Sequence, residues 1–238
     1  MIYSSILSNE KGAFALLIDP DKYNISDIKG LAERAQNANV DIILLGGSLT
    51  QVSIEKTLKI IRQRSSIPII LFPGNALQFT PSADAILFLS LISGRNPDFL
   101  IGNHVLVSQA LHESGMEIIP TGYILIESGA VTSVQYMSNT MPIPRNKPDI
   151  VVATALAGQQ LGLKSIYLEA GSGAQLPVPN GIISEVRKHI KSPIIVGGGI
   201  RTPQAVRDAR QAGANMVVVG NALERDAGLL NELVAACT

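Results

Sequence analysis

Ile194-Ile195-Val196-Gly197-Gly198-Gly199-Ile200-Arg201-Thr202-Pro203 reads as a short β-branched strand, a glycine turn and the start of a helix. Met216-Val217-Val218-Val219-Gly220-Asn221 repeats that order one unit later. Glycine lets the backbone approach a ligand closely, and the helix that follows aims its free N–H groups at the same place. Two such turns on consecutive strand–helix units match the phosphate site that closed α/β barrels build after their last two strands. Either turn alone could simply connect strand to helix, but the pair is more specific. A phosphorylated small molecule is the ligand this stretch predicts.

Working back from these turns, six further strand candidates precede them. They run over Ala13–Asp19, Asp41–Gly46, Pro68–Phe72, Ala83–Leu89, Met116–Tyr123 and Ser165–Glu169. Most are short apolar runs bounded by Gly, Pro or Asp, as strands covered on both faces should be. Helical patterns fill most gaps. Ser26 is read as the cap of a helix through about Asn37, and Ser53 as the cap of one through Arg64. Pro97 or Asp98 opens one ending near Ser114, and Asp149 one ending near Gly162. Pro179 or Asn180 leads one ending near Ile190. Thr202-Pro203 pairs an N-cap with a proline at the first helical position, and Gly213 ends that helix. Strand and helix alternating eight times predict an α/β chain closed as a (β/α)8 TIM barrel, one domain over residues 1–238.

Two gaps break the pattern. Between the third and fourth strands lie only Pro73 to Ser82, too few residues for a barrel helix with its two loops. The barrel is therefore predicted as a modified one, its third helix replaced by a short segment and its outer wall thin there. Conversely, Glu127 to Lys147 is long and contains Met141-Pro142-Ile143-Pro144, which is not helical. It reads as a lid over the barrel mouth or as a packing insertion.

Composition excludes several classes. The 238 residues are 46% hydrophobic, enough for one large core. Formal net charge is zero, so no broad field draws the chain to nucleic acid or an anionic membrane. The basic cluster Arg187, Lys188 and Lys191 reads as a solvated helix end. Cys237 is the sole cysteine, which excludes an internal disulfide framework. The stretch MIYSSILSNEKG lacks a cationic segment leading into a long apolar one, and no apolar run reaches the roughly 18 residues of a membrane span. A cytoplasmic protein is expected.

Chemistry in a barrel sits where the strands end. The first ends in Asp19-Pro20-Asp21-Lys22, whose carboxylates and ammonium suit Mg²⁺ and phosphate, or a capped turn. The second ends in Gly46-Gly47-Ser48, whose hydroxyl could complete a metal or phosphate contact or cap a helix. The sixth ends in Tyr167-Leu168-Glu169-Ala170-Gly171-Ser172-Gly173. Strand alternation puts Tyr167 and Glu169 on one face. A glutamate at a barrel mouth is costly to bury unpartnered, and could bind substrate hydroxyls or take a proton. Gly171-Ser172-Gly173 then offers further N–H groups and a hydroxyl to an anion. His104, His112 and His189 all fall in or beside helical patterns, away from strand ends. No Gly-x-Gly-x-x-Gly follows the first strand, and no Lys lies within a strand, which weakens dinucleotide and Schiff-base readings.

Taken in order, these segments resemble the geranylgeranylglyceryl phosphate synthase family. They are Asp19 to Lys22, Gly46 to Ser48, Phe72-Pro73-Gly74-Asn75, Tyr167 to Gly173, Gly197 to Ile200 and Gly220-Asn221. Leu87 to Pro97 and Pro120-Thr121-Gly122-Tyr123-Ile124-Leu125 extend the resemblance over nearly the whole chain. The resemblance implies a (β/α)8 barrel lacking its third helix. It implies transfer of geranylgeranyl from its diphosphate to sn-glycerol 1-phosphate, releasing diphosphate and forming an ether lipid. Mg²⁺ is the implied cofactor, held by Asp19 and Ser48. The implied glycerol 1-phosphate set is Tyr167, Leu168, Glu169, Ala170, Gly171, Ser172, Gly173, Gly198, Gly199, Gly220 and Asn221, with Glu169 catalytic. A homo-oligomer is expected, as is no nucleic-acid partner, and release of the lipid at a membrane surface is compatible with this reading.

Other readings of the residues stay open at this stage. The same reaction could use another prenyl length. Phosphosugar isomerases and thiamine phosphate synthase share the glycine turns, and a phosphometabolite-binding barrel need not transfer a prenyl group at all.

Overall fold

The computed structural model describes residues 1–8 and 12–237. Residues 9–11, part of the N-terminal stretch read above for a leader, and Thr238 lie outside them. Eight parallel strands close a barrel in sequence order: β1 (Ala13–Ile18), β2 (Ile42–Leu45), β3 (Ile69–Leu71), β4 (Ala85–Ser90), β5 (Glu117–Leu125), β6 (Ser165–Glu169), β7 (Ile194–Gly197) and β8 (Met216–Val219). Closure is explicit in the last pairing, where Ala13 sits opposite Met216 and Leu16 opposite Val219. The predicted fold class is therefore the observed one, and strand ends differ from the sequence reading by a residue or two.

Period-two alternation divides each strand between two cores. Ala15, Leu44, Ile70, Leu87, Tyr167, Ile195 and Val218 fill the barrel interior. Their neighbours Leu16, Ile43, Leu71, Ile86, Leu168, Val196 and Val217 pack under the helices. With both faces covered, the strands carry no polar alternation, which is why they read as continuous apolar runs.

The helices α1 (Ile2–Ser8), α2 (Ile25–Asn37), α3 (Ile54–Arg62), α4 (Asn103–Ser114), α5 (Ser133–Ser138), α6 (Pro148–Gln160), α7 (Asn180–His189), α8 (Pro203–Gln211), α9 (Asn221–Arg225) and α10 (Leu230–Ala235) complete the chain. Thr202 caps α8 through the Ala205 N–H, as expected, and Ser53 caps α3 through Lys56. The cap of α2 is Asn24, not Ser26: its Oδ1 accepts from the Asp27 N–H at 3.0 Å while its amide donates to the Asp27 carboxylate. This reciprocal pair starts the helix two residues early. Helix α1 has no counterpart in the sequence pattern. Its Ile2 and Tyr3 N–H groups donate to the Glu117 carboxylate at the start of β5.

Between β3 and β4 the helical layer shrinks to one 3₁₀ turn, Ala76–Gln78. The segment after β4 opens with a π-helical turn, Asp98–Gly102, before α4. The long stretch after β5 holds α5 and returns to the barrel where Ile143 bridges Ile126 in parallel. Among the described residues no helix is long and apolar enough to cross a membrane.

Two expectations are corrected here. His104 lies beside a strand end, its Nε2 3.3 Å from the Ser90 hydroxyl that closes β4, and it is buried. Arg187 is not part of a solvated cluster: it is half-buried and donates to Asn215 Oδ1 and the Ile190 carbonyl. Both side chains pack inward because their helices lie against the barrel, which helical periodicity alone does not orient.

Candidate active site

The carboxyl ends of the strands open into a polar crater of about 490 Å³. Asp19, Ser48, Tyr167, Glu169, Ser172, Gly173, Gly198, Gly199, Gly220 and Asn221 all line it. The structure thus brings most of the sequence-predicted site together. Leu168 and Ala170 point instead into the layer between strands and helices. Only their backbone lies near the mouth, and the Ala170 N–H is already bonded to the Gly197 carbonyl.

Glu169 sits at the crater floor, 5% exposed. One carboxylate oxygen accepts the Gly171 N–H at 2.6 Å. Burial pushes its pKa from 4.5 up to about 7, and the Gly171 N–H opposes that shift. The Tyr167 and Tyr123 hydroxyls also favour the charged form, although the Tyr167 hydroxyl faces the carboxylate without closing a hydrogen bond. Their rings form a wall: Tyr167 stacks on Tyr123 and on Phe72, each at 5.3 Å between centroids.

Loop 6, the loop after β6, spends more of its N–H groups internally than the sequence suggested. Gly171 donates to Glu169, and Gly173 to Asn221 Oδ1 at 3.3 Å. Gly198 has φ +81, which favours glycine. A Cβ there would fall on a Glu169 carboxylate oxygen and within 2.7 Å of the Gly171 nitrogen. The missing side chain makes room for Glu169 rather than directly for a ligand.

On the opposite rim, Asp19 is half-buried, and desolvation raises its pKa above the usual carboxylate value. Its Oδ1 accepts the Asp21 N–H at 3.1 Å. Asp21 itself turns away: its carboxylate accepts the N–H groups of Gln51 and Val52 at 2.9–3.0 Å and latches the loop that carries Ser48. One carboxylate and one hydroxyl, all oxygen donors, suit Mg²⁺, which keeps several waters and takes phosphate oxygens for the rest.

Sequence reasoning missed Gln78. It is buried in the short turn that replaces a helix, and all its contacts are to loop backbone. Its Oε1 accepts from Gly47 and Gly74, and its Nε2 donates to the Gly47 carbonyl. No local pattern marks such a residue, because its partners are backbone groups and Gly47 lies 31 residues away.

From the crater a narrow apolar groove leads outward. Gly47, Ser48, Phe72, Tyr123, Val134 and Met137 border both spaces. Farther out it is walled by Pro73 to Ala76 and Phe79 on one side and Phe99, His104 and Val107 on the other. It follows the place where the third helix is missing.

The profile of the PcrB family matches residues 6–237. The chain belongs to the PcrB family. It is 52% identical over 95% of its length, and 91% of the relative's, to a geranylgeranylglyceryl phosphate synthase of Spirosoma linguale. A synthase of the same name from Chitinophaga pinensis is 47% identical, over 99% of this chain and 95% of that one. The crystal structure of (S)-3-O-geranylgeranylglyceryl phosphate synthase from Thermoplasma acidophilum, in complex with sn-glycerol-1-phosphate, superposes with a TM-score of 0.91. That pair is 31% identical and covers 99% of this chain and 96% of the other. The family resemblance and the enzymatic character expected from the sequence are borne out.

Proposed function

We propose that this PcrB-family protein joins geranylgeranyl diphosphate to sn-glycerol 1-phosphate, giving geranylgeranylglyceryl phosphate and diphosphate. One observation carries the reading. A polar crater and an apolar groove meet at Ser48, Phe72 and Tyr123, the shape needed for a donor with an anionic head and a long hydrocarbon tail.

In this reading the acceptor phosphate lies at the turns of Gly198–Gly199 and Gly220–Asn221, with Tyr167, Glu169, Ser172 and Gly173 around the glycerol. Fixing the phosphate end leaves one hydroxyl to reach C1 of the donor. The hydroxyl oxygen bonds to C1, the C1–diphosphate bond breaks with its electron pair leaving on diphosphate, and Glu169 accepts the hydroxyl proton. A pKa near 7 suits a general base at neutral pH. The aromatic wall of Phe72, Tyr123 and Tyr167 keeps water from competing as acceptor.

Asp19 and Ser48 would hold Mg²⁺, and Lys22 adds a cation on the same rim. When bound, Mg²⁺ neutralises the leaving diphosphate. The same proposal includes a homo-oligomer, read by analytical ultracentrifugation.

The test incubates the protein with glycerol 1-phosphate, Mg²⁺ and labelled prenyl diphosphates. A chloroform-soluble phosphate monoester retaining the label is expected. Acceptor binding without product formation would leave a phosphometabolite-binding barrel and overturn the proposal.

A further inference from the structure

Loop 6 is short of regular structure, and its internal bonds, Gly171 to Glu169 and Ala174 to the Gly171 carbonyl, lie in its first half. Gly171 and Gly173 both have positive φ, and residues 170–179 contain no regular structure. Two guanidinium groups hold it from opposite sides. Arg201, in the loop after β7, donates to the Gln175 carbonyl at 3.1 Å and to the Ala174 carbonyl. Arg145, from the long segment after β5, donates to the Pro177 carbonyl at 3.2 Å and to the Glu127 carbonyl at 2.9 Å. Between them the Leu176 N–H donates to the Ser128 carbonyl. Three consecutive crater loops are thus stitched together through the backbone of one.

Charge adds to the geometry. The crater is lined by three carboxylates, Asp19, Glu169 and Glu224, and two cations, Lys22 and Arg201. Lys22 belongs to the Asp19 rim, so Arg201 is the cationic side chain on the rim of Gly198–Gly199 and Asn221. Among the described residues no carboxylate lies within ion-pair distance of Arg201 or Arg145. Both guanidinium groups therefore spend their donors on backbone carbonyls rather than on a carboxylate.

We infer that Arg201 is a positioning residue for the acceptor phosphate, acting by engaging the Ala174 and Gln175 carbonyls and holding loop 6 against the loop after β7. Arg145 supports the same loop from the other side. A planar guanidinium can bond two carbonyls at once, which a lysine ammonium on a flexible stem does not reproduce. The inference rests on the proposed acceptor, glycerol 1-phosphate.

The test measures kcat and KM for both substrates in Arg201→Gln, Arg201→Lys and Arg145→Gln, with calorimetric binding of glycerol 1-phosphate alone. Arg201→Gln should raise the acceptor KM and Kd about tenfold or more, as expected for losing charge-assisted hydrogen bonds, with donor KM and kcat nearly unchanged. Arg201→Lys should recover less than half of that loss, and Arg145→Gln should show a smaller shift of the same kind. An unchanged acceptor KM, full rescue by lysine, or equal losses for both substrates would overturn the inference. If Arg201→Gln does not fold, Arg201→Lys and Arg145→Gln decide. Wild-type protein that makes no ether from glycerol 1-phosphate would instead overturn the proposed function, so the two failures are distinguishable.

Discussion

The Gln78 amide donates to the Gly47 carbonyl at 2.7 Å, so the turn that replaces a helix reaches back into the loop that presents Ser48. Loss of the third helix therefore does two things. It opens the apolar groove, and it brings a buried amide against the crater rim. Gly74 packs on the same loop so tightly that a Cβ there would lie 2.7 Å from the Ser48 carbonyl oxygen.

Gln78→Leu should leave two N–H groups and a carbonyl without their partner. The expected loss is about 3 kcal/mol of stability, measured by urea unfolding, together with reduced turnover. Unchanged stability would show that water replaces the amide.

Asp19→Asn keeps the Asp21 N–H acceptor but removes a charge from the proposed metal site. Turnover should fall at least about a hundredfold, or roughly 2.7 kcal/mol of transition-state stabilisation. Calorimetry should find glycerol 1-phosphate affinity little changed. Near-normal turnover would remove Asp19 from the mechanism.

Glu169 gives a pH signature. As the base it must be ionised, so kcat/KM should rise with pH through about 7, and Glu169→Gln should be slow with no such limb. Stability moves oppositely. The fold favours the neutral carboxyl, so its contribution is full below the ordinary value of 4.5 and is lost as pH rises through about 7. Glu169→Gln should melt above wild type at pH 8, and the gap should close toward pH 4. A gap that is constant with pH would contradict the buried-charge account.

Gly198 and Gly220 should behave differently. A Cβ at Gly198 overlaps Glu169, whereas one at Gly220 would meet Leu17 at 3.3 Å, a contact that a small shift relieves. Gly198→Ala is expected to abolish turnover and lower stability, while Gly220→Ala should fold normally and chiefly raise the acceptor KM. Equal effects would mean that Glu169 is not what the Gly198 turn makes room for.

The groove should select tail length. Each buried methylene contributes about 0.8 kcal/mol, so affinity rises with donor length until the groove ends. Donors of two, three, four and seven isoprene units should show a maximum in catalytic efficiency at four. A flat profile would mean that the tail stays outside the groove.

Strand identity, barrel closure and the missing third helix were legible in the sequence, because apolar runs and their glycine ends are local and register is forced by burial on both faces. The placement of Tyr167 with Glu169 on one face followed from strand alternation. What the tertiary structure alone decided is how loops meet. Gln78 on Gly47, Arg201 on loop 6, Asp21 on Gln51 and Val52, and His104 on Ser90 all join residues far apart in sequence or on different elements. Their partners are mostly backbone groups, which every residue carries. Such contacts leave no pattern in the chain, and only closing the barrel brings them within hydrogen-bond reach.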